Sequence, residues 1–244
     1  NREEVYTGMR VLTPLLLSAV FATVLPGTSY TFSDFSDPSG ITLVGDSVLT
    51  ENRLRLTAAA ENQVGAAWIN SRVDVQNGFN VSFQFQITGR GGHTPDWEPG
   101  VSNDGADGFT FTIQNYGPNT LGLYASGIGY YGIANSLSVE FDTWHNKPSY
   151  CEPNGNHVAV QSLGGGENRP EHCGAEDGSF DSPTLALATS GGEMSDGRIY
   201  NVMINYLPGL LAVYLEDMNV PLLTAAVDLG QLLDLDGGRS AFIG

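Results

Sequence analysis

The chain has 244 residues, with 27 Asp and Glu against 10 Lys and Arg, for a formal net charge of −17 at pH 7. A field of that sign repels phosphate backbones and anionic lipid surfaces, which argues against nucleic acid as a partner. The 31 glycines and the short apolar alternations between turn residues are typical of one large all-β domain.

The N-terminal segment has the pattern of an export signal. Met9 and Arg10 precede an apolar run, 11–25, that is too short and too interrupted to span a bilayer comfortably. An uncut membrane anchor is the alternative interpretation. The predicted organisation is an upstream leader outside the native protein at 1–8, a signal peptide at 9–28 and a single domain at 29–244. This organisation predicts a secreted or cell-surface protein with no membrane insertion after signal cleavage.

Period-two alternation of apolar and polar side chains predicts the strands. The pattern is clear in 80–88 and 108–115. Further predicted elements are strands at 136–142, 157–161, 198–206, 211–216 and 241–244, weaker strands at 30–35 and 53–57, and one helical turn at 229–235. Many short strands at regular spacing predict antiparallel sheets stacked as a β-sandwich. The long glycine-rich segments 89–106 and 116–135 are then surface loops, where binding sites usually lie.

The chain has two cysteines, Cys151 and Cys173. Neither has a metal-ligand spacing, and an isolated pair in an exported chain is more often a disulfide than two thiols. We therefore predict a disulfide between them.

The segment from 138 to 162 carries the densest group of candidate ligands. Apolar residues alternate with Glu140 and Asp142, so these two carboxylates share the face opposite the core. The next strand opens with His157, and if the strands pair, the three side chains converge at one end. Two carboxylates and an imidazole suit a divalent cation. A solvated polar face is the alternative. The intervening loop can add a carbonyl, an amide oxygen and a carboxylate from Trp144, Asn146 and Glu152.

The run from Glu140 through Asp142, Trp144 and Asn146 to Glu152-Pro and His157 resembles the metal-binding loop of legume (L-type) lectins. Bacterial members are the most similar, and the resemblance extends over 30–244. It implies an antiparallel β-sandwich of the concanavalin A-like jelly-roll type, C-terminally truncated here because its last strand is missing.

The resemblance also implies two metal sites. The transition-metal site, for Mn²⁺ or another such ion, takes Glu140, Asp142, Glu152 and His157. The calcium site takes Asp142, the carbonyl of Trp144, Asn146 and Glu152. Two departures from the family leave a single Ca²⁺ as the alternative: Glu152 stands where the family has Asp, and the loop before it is one residue longer.

Two other segments resemble the sugar-contacting parts of the same family. The run 105–109 resembles the family's Ala-Asp-Gly-Phe segment, which implies a cis peptide before Asp107 and a carboxylate that accepts hydrogen bonds from sugar hydroxyls. The run 126–130 resembles a loop whose backbone amide, here that of Gly127 or Gly129, contacts the sugar. Asn146 would add a donor. An aromatic ring, Trp144 or one of Tyr130 and Tyr131, would stack on the sugar ring.

The resemblance therefore implies a non-enzymatic, calcium-dependent protein that binds glycans or glycoconjugates and forms homo-oligomers in some relatives. Two alternatives remain. A glycoside hydrolase of a related sandwich needs a second acid, but His145 stands at its place three residues after Asp142. A surface adhesion module could have lost its sugar site. His93, His145 and His172 lie in polar loops and are expected to be solvated.

Overall fold

The structure is a computed structural model that describes residues 29–90, 105–146 and 148–244. The predicted leader and signal peptide lie outside the described residues, as does most of the predicted loop at 89–106. Within the described ranges, no helix has the length and apolar character needed to cross a bilayer.

Almost all regular structure in the described residues is β. The strands and the one α-helix are, in chain order, β1 Ile41–Gly45, β2 Val48–Thr50, β3 Arg53–Arg55, β4 Gly65–Ile69, β5 Val73–Asp74, β6 Phe79–Gln86, β7 Gly108–Gln114, β8 Ser136–Asp142, β9 His157–Gln161, β10 Thr184–Thr189, β11 Ile199–Leu207, β12 Leu210–Leu215, β13 Leu223–Ala225, α1 Leu229–Leu232 and β14 Ser240–Ile243. Two 3₁₀ turns, Ala125–Gly127 and Pro148–Tyr150, lie in the loops.

Two antiparallel sheets stack face to face. The first has six strands in the order β10-β9-β8-β7-β14-β5, and the second has four in the order β13-β12-β11-β6. The rings of Phe109 and Phe141 in the six-stranded sheet stack with their centroids 4.8 Å apart, and Phe85 of the four-stranded sheet lies 5.7 Å from Phe141. Their apolar faces form the main core between the sheets. The predicted antiparallel β-sandwich is confirmed.

A second, smaller core covers the outer face of the six-stranded sheet. Its buried residues are Trp68, Ile128, Tyr130, Ile133 and Phe242. Trp68 comes from β4, which pairs with β1 as a separate small sheet, and its indole nitrogen donates to the Thr120 carbonyl at 2.8 Å. The prediction that 116–135 is only a surface loop is therefore wrong. Its apolar side chains form a third layer. Both faces of β8 are therefore covered, and every residue of that strand is buried.

Most of the strand predictions are confirmed. Those at 80–88, 108–115, 136–142, 157–161, 198–206, 211–216 and 241–244 match β6, β7, β8, β9, β11, β12 and β14 to within two residues at each end. The weaker strand at 53–57 is β3, and the helical turn is the short α1. The predicted strand at 30–35 is wrong, because this segment forms bends in which the rings of Phe32 and Phe35 stack on each other.

Candidate functional site

The strands β8 and β9 bring three predicted ligands onto one face of the six-stranded sheet. Asp142 pairs directly with His157, and Glu140 pairs with Ala159 two positions along the same ladder. Because alternate residues share a face, these side chains point away from the main core. They are nevertheless 0% (Glu140), 2% (Asp142) and 0% (His157) exposed. The two strands pair as predicted, and the alternative, a solvated polar face, is wrong.

A second imidazole, that of His172, reaches the same place. Its Nε2 lies 3.1 Å from Oε1 of Glu140 and 3.0 Å from Nε2 of His157, and the His157 Nε2 is 3.7 Å from the same Glu140 oxygen. The His172 side chain is only 3% exposed, so the prediction that it is solvated is wrong. His145 is partly exposed, and His93 lies outside the described residues.

The disulfide explains how a loop residue reaches the sheet. Cys151 and Cys173 are bonded as predicted. Cys173 directly follows His172, and Cys151 directly precedes Glu152, so the bond fastens the two loops together. Beside it, the His172 amide donates to the Tyr150 carbonyl at 2.7 Å. The cysteine positions were therefore the sequence signal for His172, because a disulfide brings together the residues next to its cysteines.

Neighbouring side chains hold Glu140 in its charged form. The Tyr130 hydroxyl donates to Oε2 at 2.7 Å, and Nε2 of Gln161 donates to Oε1 at 3.0 Å. Burial alone would raise the pKa of Glu140, but hydrogen bonds and charges from His157 and His172 outweigh it and lower the pKa to about 2. Tyr130 is itself fully buried, so the expectation that its ring could stack on a sugar is wrong.

A second group of candidate ligands lies at the end of β8 and in the loop that follows it. The Trp144 amide donates to Oδ1 of Asp142 at 2.7 Å. The backbone amide and Nδ2 of Asn146 donate to the two carboxylate oxygens of Glu152 at 2.6 and 2.9 Å. The resemblance implies Asp at position 152, and the longer side chain of the Glu that stands there reaches Asn146.

The charges of this second group oppose each other. Burial raises the pKa of Glu152 to about 7, although the hydrogen bonds from Asn146 lower it. Burial also raises the pKa of Asp142 well above its usual range, and the charges of Glu152 and Glu140 raise it further. A divalent cation would relieve this repulsion, and carboxylate, amide and carbonyl oxygens are the ligands that Ca²⁺ takes. The residues present therefore fit a calcium ion.

Asp107 directly precedes β7, at the same end of the six-stranded sheet as Asp142. The Ala106–Asp107 peptide is cis, as the resemblance implies. The Asp107 carbonyl accepts the Thr143 amide at 3.0 Å, and the next residue, Gly108, pairs with Asp142. Gly108 has φ +126°, and a Cβ there would lie 2.2 Å from a backbone oxygen, so the close approach requires glycine. Burial raises the pKa of Asp107 to about 6, and its charge contributes to the raised pKa of Asp142.

The glycine loop, residues 126–130, lies beside this end of the sheet. The backbone amides of its two candidate glycines already donate hydrogen bonds to nearby backbone carbonyls. Gly127 donates to the Tyr124 carbonyl at 3.1 Å, and Gly129 donates to the Leu123 carbonyl at 2.9 Å. The loop joins the 3₁₀ turn Pro148–Tyr150 through a 3.0 Å hydrogen bond between the hydroxyls of Ser126 and Tyr150. Tyr124, which the sequence reasoning missed, presents an aromatic ring with the residue 51% exposed.

The hydrolase alternative does not fit this geometry. A retaining glycosidase needs two carboxyl groups that both meet the glycosidic bond. Glu140 and Asp142 are almost completely buried, and the former is bonded to Tyr130 and Gln161. His145 occupies the position where the second acid would stand.

Comparison with known proteins agrees with this geometry. A family model described as the legume lectin beta-barrel domain matches residues 32–229. A lectin from Pisum sativum is 29% identical over 215 residues, which cover 80% of this chain and 65% of the pea protein. The chain thus spans slightly less than two thirds of that relative's length.

Solved lectins share the fold. The lectin from Bauhinia forficata, in complex with GalNAc, superimposes with a TM-score of 0.62 at 21% identity, covering 89% of this chain and 90% of that one. The exoplasmic/lumenal domain of VIP36, in its Ca²⁺/Man3GlcNAc-bound form, gives a TM-score of 0.57 at 17% identity, covering 85% of this chain and 76% of that one. The sandwich is therefore concanavalin A-like. Since the family model also covers most of the sequence, the chain belongs to the legume-type (L-type) lectin domain family, a family of non-enzymatic carbohydrate-binding proteins.

Proposed function

We propose that the protein is a carbohydrate-binding lectin whose sugar-contacting loops are ordered by bound Ca²⁺. The observation that carries the proposal is a group of three carboxylates gathered at one end of β7 and β8, the buried Asp142 and the half-buried Asp107 and Glu152, whose pKa values are all raised. Membership of the lectin family gives this group its interpretation.

Calcium would be held by oxygen atoms from the end of β8 and the loop that follows it. These are the carboxylates of Asp142 and Glu152, the carbonyl of Trp144 and the side-chain oxygen of Asn146, whose amide nitrogen already faces Glu152. The ion would neutralise the carboxylates and fix the loop before any sugar arrives. Because the loop is already ordered in the calcium-bound protein, sugar binding loses little conformational entropy, and this preorganisation strengthens the affinity.

The sugar would lie against Asp107. A carboxylate accepts hydrogen bonds from two neighbouring hydroxyls, Asn146 supplies a donor, and the half-buried Trp144 offers a ring face. Gly127 and Gly129 would line the adjacent loop, with Ser126 joining it to the calcium loop. The Bauhinia lectin is bound to GalNAc and the VIP36 domain to Man3GlcNAc, which supports a hydroxyl-rich ligand here. A shallow site of this kind gives weak single-site affinity, so avidity would come from multivalency.

The protein would act outside the cytosol. The Cys151–Cys173 disulfide supports this, because such bonds persist in oxidising compartments. The sequence pattern of a signal peptide at 9–28 agrees with it.

The test is glycan-array binding of the calcium-loaded protein, repeated after treatment with a chelator and after Ca²⁺ is restored. The bound glycan is then titrated by calorimetry against Asp107→Asn, with the exposed Asp217→Asn as the matched control. One charge-assisted hydrogen bond contributes about 1.5–3 kcal/mol, so Asp107→Asn should weaken binding about 10- to 150-fold and the control should not.

Each contrary outcome identifies a different error. Binding that survives chelation would contradict the role of calcium. An Asp107→Asn variant with wild-type affinity would contradict the placement of the sugar. A calcium-loaded protein that binds no glycan on the array would favour the adhesion module without a sugar site.

A further inference from the structure

We propose that His172 completes, with Glu140 and His157, a buried site for a divalent transition-metal ion held by two imidazoles and one carboxylate. The lectin pattern supplies only one imidazole to this region, that of His157. His172 lies outside the pattern, on a different loop. The proposal does not depend on glycan binding, and it can fail while the proposed function stands.

The three ligand atoms have the spacing of a metal coordination shell. Their separations are 3.0, 3.1 and 3.7 Å. The circumscribed circle of a triangle with those sides has a radius of about 1.9 Å, so an ion slightly above its plane lies about 2.0–2.1 Å from all three atoms, the bond length of zinc to imidazole and carboxylate. No side chain has to move for the three atoms to share one ion.

The hydrogen bonds of the two rings direct their free nitrogens at this point. Nδ1–H of His157 donates to the Asn154 carbonyl at 2.8 Å, so the neutral ring that would bind a metal has its lone pair on Nε2. Nδ1 of His172 lies 3.2 Å from Oγ1 of Thr184, whose own proton is donated to Gln161 Oε1 at 2.9 Å, and 3.3 Å from Nε2 of Gln161; of these two neighbours only the hydroxyl can accept a hydrogen bond. That hydroxyl gives the Nδ1–H of His172 an acceptor, so its Nε2 can also bear the lone pair. Metal-bound histidines are commonly oriented by such partners.

The carboxylate is oriented in the same way. Oε2 of Glu140 accepts the Tyr130 hydroxyl, and Oε1, which also accepts Nε2 of Gln161, is the oxygen that faces the two rings. Tyr130 is held in turn, since its hydroxyl lies 3.0 Å from the Arg169 carbonyl. The side chains of Glu140, His157 and His172 are 1%, 0% and 3% exposed, so the site is closed to bulk water.

The ligand set predicts which ion is taken. Two imidazoles and one carboxylate suit Zn²⁺, Co²⁺ and Ni²⁺, whereas Ca²⁺ requires oxygen ligands. The carboxylates of Asp142 and Glu152 with Asn146 satisfy that requirement in the neighbouring loop. Addition of the second imidazole by His172 therefore shifts the preference of this site away from Mn²⁺ and toward zinc.

The experiment uses the whole protein, stripped of metal and then saturated with Ca²⁺, and titrates it with Zn²⁺ by calorimetry. We expect one equivalent of Zn²⁺ to bind without displacing calcium. His172→Ala should weaken this binding by about 100-fold or more, while the matched control, His145→Ala, removes a histidine outside the cluster and should leave it unchanged. Circular dichroism verifies that each variant is folded.

X-ray absorption at the zinc edge of the wild-type protein counts the imidazoles without any substitution. Two imidazoles on the ion would support the proposal, and one or none would overturn it. The proposal is also overturned if the calcium-loaded protein takes up no Zn²⁺, or if folded His172→Ala binds Zn²⁺ as tightly as wild type. Glycan binding in Ca²⁺ alone, measured on the same samples, reports separately on the proposed function.

Discussion

Removal of the Cys151–Cys173 disulfide should lower both the stability of the domain and its affinity for zinc. The cysteines are 22 residues apart. Closing a loop of that length in the unfolded chain corresponds to about 3 kcal/mol of unfolding free energy. In a domain of this size the loss would lower Tm by about 6–12 °C. The bond also fastens the loop of His172 to that of Glu152, so we expect the affinity for Zn²⁺ to fall about 10- to 100-fold.

The assay compares wild type with the double variant Cys151→Ser/Cys173→Ser in urea unfolding, followed by tryptophan fluorescence on metal-free protein. Reduced wild type should match the double variant, and the double variant should not respond to reductant. A loss of less than about 1 kcal/mol would refute the loop-closure reasoning. A loss of stability with unchanged Zn²⁺ affinity would show that the bond does not position His172.

The remaining predictions concern the two cores. Phe141→Ala should lower the unfolding free energy by about 3–5 kcal/mol, because the fully buried ring that stacks on Phe109 leaves a cavity. A urea titration showing less than about 1 kcal/mol would contradict that packing. Tyr130→Phe should lower the unfolding free energy by about 1–3 kcal/mol, because the buried Oε2 of Glu140 loses its hydrogen-bond donor. In the same variant calorimetry should show weaker Zn²⁺ binding, and wild-type values in both measurements would contradict the hydrogen bond.

Strands with one apolar face were predictable because period two is a local property. In β6, Val81, Phe83 and Phe85 alternate with polar residues and face the main core, as the pattern predicts. The strand predicted at 30–35 failed because Phe32 and Phe35 are three residues apart, which breaks period two, and their rings stack on each other across a bend. Periodicity reports which side chains are apolar, but strand pairing depends on a partner that is distant in sequence.

Local sequence patterns also predicted some residues of the candidate site and missed others. Glu140 and Asp142 follow from the alternation of one strand, and His157 follows from the start of the next. His172 could not be found by spacing, because it comes from a loop brought in by a disulfide. The burial of the site was also hidden, since Tyr130 reaches Glu140 from a segment that looked like a glycine-rich surface loop.

The sequence by itself determined the all-β class, most strand positions, the order of the candidate ligands and the cysteine pair, because each depends on neighbours in the chain. Only the tertiary structure decided that 116–135 covers the outer face of the six-stranded sheet and that His172 faces Glu140 and His157. Both depend on residues that are distant in the sequence and meet only after folding. The pKa values of Asp142 and Glu152 are raised by burial, and burial is created by the packing of the layers, so the sequence alone does not reveal it.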